Sequence, residues 1–187
     1  MSISLIKRYA RYNKWAYETL LNCMSSMSDT DYHGHVGLCF RSIHGTLNHL
    51  LLADRLWYSR LTNTSDPKLA PYWQHTEIYA KPNDSSIFWE DYIKDRHQLK
   101  DSILSQANLL IEYVDTLPNS IDLDDSFSYS DSSGTKKSMP LGTVLLHVVN
   151  HGTHHRGQIT AVCPRFGLPP PSIDFIYFDP TKSNTSL

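Results

Sequence analysis

The chain has 187 residues, of which 19% are charged, with a formal net charge of -2 and a pI near 6.5. A length of this order fits one ordinary domain able to bury its own core, and the absence of surplus basic charge argues against a nucleic-acid partner, which needs phosphate contacts. Cys23, Cys39 and Cys163 are odd in number and form no CxxC pair, no apolar run is long enough to span a bilayer, and Met1 to Arg8 lacks a signal-peptide core; these features predict a cytoplasmic protein with no membrane contact.

In chain order, Leu5, Tyr9, Tyr12, Trp15, Ala16 and Leu20 recur at three- and four-residue steps, which predicts a first helix from Ile3 to about Met24. Residues 28–39 carry Asp, Gly and Ser without a sustained period and read as a loop. A second helix runs from near Ser42 to about Leu61. Pro67, Pro71 and Pro82 exclude a long regular element between Thr62 and Asp84. A third helix is expected to start after Asn83-Asp84-Ser85, whose side chains can cap its free amides, and to stop before Pro118. Phe127 and Tyr129 alternate with serines ahead of Asp131-Ser132-Ser133-Gly134, the pattern of a short hairpin within residues 121–137.

Pro140 suits the first turn of a fourth helix, closed by Pro164 and Gly167. The stretch from Pro169 to Phe178 reads as an extended segment laid over the helices, and residues 179–187 as a frayed tail. The expected fold is therefore all-α: a four-helix bundle in one domain spanning 1–187, with long connections and a short hairpin before the last helix.

Histidine is concentrated in the fourth helix, where four of the ten in the chain fall between His147 and His155. His151 and His155, four apart, share a helix face and can converge on one ion. A third ligand in a bundle core comes from a facing helix, and His49, among Leu47, Leu50 and Leu51, is the best placed; His33, His35 and His75 fall on loops. The same HxxxH spacing also serves two buried, hydrogen-bonded core histidines. The glutamate of HExxH is replaced by Gly152, so a metalloprotease of that class is not supported.

Two segments decide between these readings: Leu47-Asn48-His49-Leu50-Leu51-Leu52-Ala53-Asp54-Arg55-Leu56-Trp57, and Val149-Asn150-His151-Gly152-Thr153-His154-His155-Arg156-Gly157-Gln158-Ile159. With Tyr12-Asn13-Lys14-Trp15-Ala16 near the start and Ile173-Asp174-Phe175-Ile176-Tyr177 near the end, they resemble the paired signature of the DinB superfamily across nearly the whole chain. The resemblance implies a metal-binding four-helix bundle with His49, His151 and His155 around nickel, zinc, iron or manganese. It also implies a metal-dependent enzyme that activates water or a low-molecular-weight thiol cofactor for transfer to a small electrophile, as a thiol S-transferase or a hydrolase. A non-catalytic metal-binding stress-response protein is the alternative. No catalytic residue follows from spacing, and the small-molecule substrate is unknown.

The neighbours receive structural readings. Arg156 and Gln158 are expected to tie helices together or cap loops, Gly157 to allow close helix packing, and Tyr12, Trp15 and Trp57 to lie in the core. Asp54 and His44, each five residues from His49, are expected to hydrogen-bond rather than ligate, and His147 to sit beside the site. With aromatics at 11% of the chain, a homodimer is expected from the apolar surplus and the resemblance. At ordinary imidazole pKa values near about 6.5, metal binding would displace up to three protons.

Overall fold

The computed structural model describes residues 1–73 and 87–181. Four long helices form the body: α1 (Ile3–Cys23), α3 (Ile43–Thr62), α5 (Arg96–Thr116) and α6 (Leu141–Val162). α1 and α3 each pack against both α5 and α6, so the four close a ring with α1 and α3 on one diagonal. Two short helices, α2 (Asp29–His33) and α4 (Ala70–Trp73), and a hairpin of β1 (Ser126–Ser130) with β2 (Lys136–Pro140) complete the regular structure among the described residues. The all-α bundle with a short hairpin is as the sequence reading has it.

Capping explains where the helices start. Ser2, Ser42 and Asp95 accept the first-turn amides of Leu5, Gly45 and Gln98 at the starts of α1, α3 and α5. The third long helix thus begins at Arg96, later than expected, while Phe88–Asp91 forms a separate 3-10 turn. Asp95 supplies the cap assigned from sequence to Asn83-Asp84-Ser85, residues that lie outside the described ones, as does His75. The stretch 28–39 also departs from a plain loop, because Ser28 caps Asp31 and nucleates one turn of helix.

Two apolar clusters fill the bundle, one around Tyr17, Leu20, Leu47, Leu51, Leu99 and Ile159, the other around Ile6, Tyr12, Ala16, Val114, Val144 and Val148. The segment after Pro169 closes over the second: Tyr12 Oη donates to the Ile173 carbonyl at 2.9 Å, and Phe175 and Phe178 pack edge-on against the Tyr12 ring. Phe175–Tyr177 winds into a 3-10 turn instead of staying extended. Residues 182–187 of the tail expected to fray lie outside the described ones. No described helix is long and apolar enough to cross a membrane.

Candidate metal centre

The apolar stripes of α3 and α6 face each other, and the histidines that interrupt them meet where the stripes cross. His49 and His155 are buried and His151 is half-buried. Nε2 of His151 lies 3.3 Å from Nε2 of His49 and 3.1 Å from Nε2 of His155, and one ligand atom from each ring falls within 4.8 Å of the others. The structure thus brings together the three residues singled out from sequence. His147 stays at the margin, its ring 5.9 Å from that of His151 and packed edge-on against Trp57.

Nitrogens bound at about 2.0–2.1 Å to a tetrahedral ion sit roughly 3.3–3.4 Å apart, close to the two Nε2 separations from His151, while the third pair lies within 4.8 Å. The donor set is three nitrogens without a carboxylate, suited to a transition metal rather than to calcium or magnesium. Burial lowers the pKa of all three, that of His151 to about 3, and the neighbouring imidazoles add to the effect for each of His49 and His151. The folded cluster is therefore neutral and holds lone pairs at ordinary pH. This shifts the expected proton release well below the range around about 6.5 that free imidazoles would give.

Gln158 has a role the sequence reading did not give it. Its Oε1 accepts from Nδ1 of His155 at 2.8 Å, which fixes the tautomer so that Nε2 carries the lone pair facing the cluster. Its spacing from His155, three residues on a helix, is the signal that was available. Gly157 also departs from expectation: a Cβ there would meet nothing within 4 Å, whereas one at Gly152 would lie 2.7 Å from Nη1 of Arg156 and 2.9 Å from Oδ1 of Asn13. The close approach in this helix is at Gly152.

An aromatic collar covers the cluster. Phe40 stacks on His49 with ring centroids 3.8 Å apart and meets His155 edge-on, and Trp89 and Trp73 stand edge-on to His49 at 5.0 and 5.7 Å. Local chemistry places each piece. The Phe40 carbonyl comes so close to α3 that a Cβ at Gly45 would be 2.2 Å from it. Glu90, beside Trp89, accepts from Arg41 and Ser42 and contacts Nδ1 of His33, while Asn48 pairs with both backbone polar groups of Ile93. These bonds pin the 88–93 stretch onto α3. His44 joins them through Ile93 O at 2.7 Å, in keeping with a hydrogen-bonding role.

One turn away on the same helices lies a second polar group. Nη1 of Arg156 donates to Oδ1 of Asn13 at 2.6 Å, its guanidinium lies over the Tyr17 ring at 4.6 Å, and Tyr17 Oη donates to Oδ2 of Asp54 at 3.1 Å. Burial raises the Asp54 pKa to about 7 against the opposing hydrogen bond from Tyr17 and the charge of Arg156. Asp54 and Arg156 therefore join helices, as read from sequence.

Comparison with known proteins places the chain by sequence. Protein DinB of Bacillus subtilis (strain 168) is 28% identical over 189 aligned residues, covering 98% of each chain. The sequence profile of the DinB family matches residues 1–184, which include α3, α6, the histidine cluster and the segment closing over α1. The chain belongs to the DinB family.

Proposed function

We propose that His49, His151 and His155 hold one divalent transition metal, nickel or zinc foremost with iron or manganese as further choices, and that the protein is a metal-dependent enzyme acting on a small electrophile. The observation that carries this reading is the convergence of three neutral Nε2 atoms at ligand spacing. When bound, the ion supplies a Lewis acid with an open position, able to acidify a water or a low-molecular-weight thiol. The chain's own residues do the rest. Gln158 orients His155, Phe40, Trp73 and Trp89 keep water from the His49 side, and the half-buried His151 marks the side from which a small molecule enters.

The test is metal analysis of the full-length protein beside its His151→Ala/His155→Ala variant, followed by turnover assays with a thiol and an electrophile. One equivalent in the parent and none in the helical double variant is the expected result; a full equivalent retained in the variant refutes the assignment. Metal without turnover returns the alternative, a non-catalytic metal-binding stress-response protein. A cytoplasmic location and a homodimer belong to the same proposal. Most of the described aromatics are half-buried and Tyr177 is the one that is exposed, so no aromatic face stands open and the homodimer rests on the family likeness.

A further inference from the structure

Away from the histidines, the C-terminal half of α3 and the hairpin enclose a cleft of about 640 Å³. Arg60, Lys136 and Lys137 line it together with serine and threonine hydroxyls, and no acidic side chain is among the described residues on its walls. The guanidinium of Arg60 lies against a pair of touching aromatic rings, 4.5 Å from the centroid of Trp57 and 5.2 Å from that of Tyr129, which stand edge-on to each other at 5.1 Å. Cation–π contact with both rings holds the group at this corner of the cleft. Among the described residues no carboxylate lies within ion-pair distance of Arg60.

Half-burial disfavours the charged form of Arg60, opposed by Tyr129 and Asp131, so a bound anion would relieve it. Asp131 is the nearest acid and stands 3.9 Å from Lys137 Nζ, but its Oδ1 is taken up by Ser133 and Thr135 in the hairpin turn. Lys137 lies opposite Tyr129 and so shares the hairpin face that meets Arg60, while Lys136, opposite Ser130, belongs to the other face.

We infer that this cleft binds the anionic end, carboxylate or phosphate, of a small molecule, with the Arg60 guanidinium as its fork and Lys137 as a flanking charge. A guanidinium suits a planar carboxylate or a phosphate, which can take two parallel hydrogen bonds. A second cleft of about 260 Å³ shares Ser59, Arg60, Thr64 and Ser130 with the first and runs along Leu56 and Leu69 to Trp73, which stands edge-on to His49. Asp66 and Asp131 also line this second cleft, so a molecule anchored at Arg60 that extends toward the histidine cluster would pass them with a neutral body; this direction alone rests on the metal proposal, while the anion site does not.

The test is titration of the full-length protein with inorganic phosphate and, separately, with succinate, followed by NMR at the Trp57 indole N–H, in the parent and in Arg60→Gln, Arg60→Lys, Lys94→Gln and His151→Ala. A saturable shift with at least one anion is expected, weakened about tenfold in Arg60→Gln, partly recovered in Arg60→Lys and unchanged in Lys94→Gln and His151→Ala. The stronger of the two anions identifies the headgroup. Absence of a saturable shift, equal affinity in Arg60→Gln, or an equal loss in Lys94→Gln overturns the site. Binding lost in His151→Ala but kept in Arg60→Gln overturns it too, by moving the anion to the histidines, whereas loss of metal in His151→Ala with anion binding intact leaves the two proposals separate.

Discussion

The histidine cluster and the Arg156 group sit side by side on α3 and α6, yet they handle buried polarity in opposite ways. Around Arg156, donors meet acceptors: Asn13, Thr153, Tyr17 and Asp54 pair off, leaving the Nε of Arg156 unpartnered. Around His151, three Nε2 atoms crowd together with at most one N–H to share in each contact, and the far Nδ1 atoms of His49 and His151 lack partners. The first arrangement stabilises the fold by itself; the second has a gain to make only when something electron-poor enters it. Neighbouring polar groups of similar burial thus differ in whether their hydrogen bonds close, and the open one is the candidate metal site.

The strongest way to break that distinction is to remove Arg156. Arg156→Met would strand Asn13 and leave Asp54 without its cation, and a loss of about 3–5 kcal/mol is expected by denaturant unfolding. His151→Ala in the metal-free protein should instead change stability little, since it deletes a buried nitrogen that has no partner. Comparable losses in the two variants would erase the contrast.

Gln158→Leu sharpens it from the other side. The substitution removes the acceptor on Nδ1 of His155 without touching the cluster, so metal affinity should fall roughly 10- to 100-fold while unfolding of the metal-free protein stays near the parent. Unchanged affinity in a competition assay would reduce Gln158 to a surface contact.

The smallest effect is in pH. Burial holds the His44 pKa down to about 4, below its unfolded value of about 6.5. The folded state binds fewer protons than the unfolded one in that window, so stability is full above it and falls as pH drops toward 4. Asp54 has the opposite sign: raised to about 7, it contributes stability that is lost as pH rises through that value. Asp54→Asn should gain on the parent as pH rises from about 4 toward 7, where the unfolded carboxyl is ionised and the folded one still holds its proton, and level off above that; a constant difference from pH 5 to pH 7 would show that Asp54 does not titrate there.

The four long helices were legible because each is long enough for its apolar period and caps to agree, and His151 with His155 because an i, i+4 pair is local. His49 was found by its place in the middle of an apolar helix. The collar was not legible: Phe40, Trp73 and Trp89 sit in connections, and what aims them at His49 is Glu90 and Asn48 bonding across the fold, which no local pattern encodes. The start of α5 was missed for a related reason, since two polar clusters precede the helix and only the second, ending in Asp95, leads directly into it.

The narrow gap at Gly152 also bears on what this scaffold can become. A zinc protease of the HExxH kind differs from the His151–His155 stretch by the residue after the first histidine, so one codon separates the two motifs. The guanidinium of Arg156 and the amide of Asn13 already fill the space that any side chain there would enter. A glutamate at 152 would have to push the Arg156 guanidinium off Asn13, so the side chain that gives a zinc protease its base would enter at the expense of the contact that ties α6 to α1.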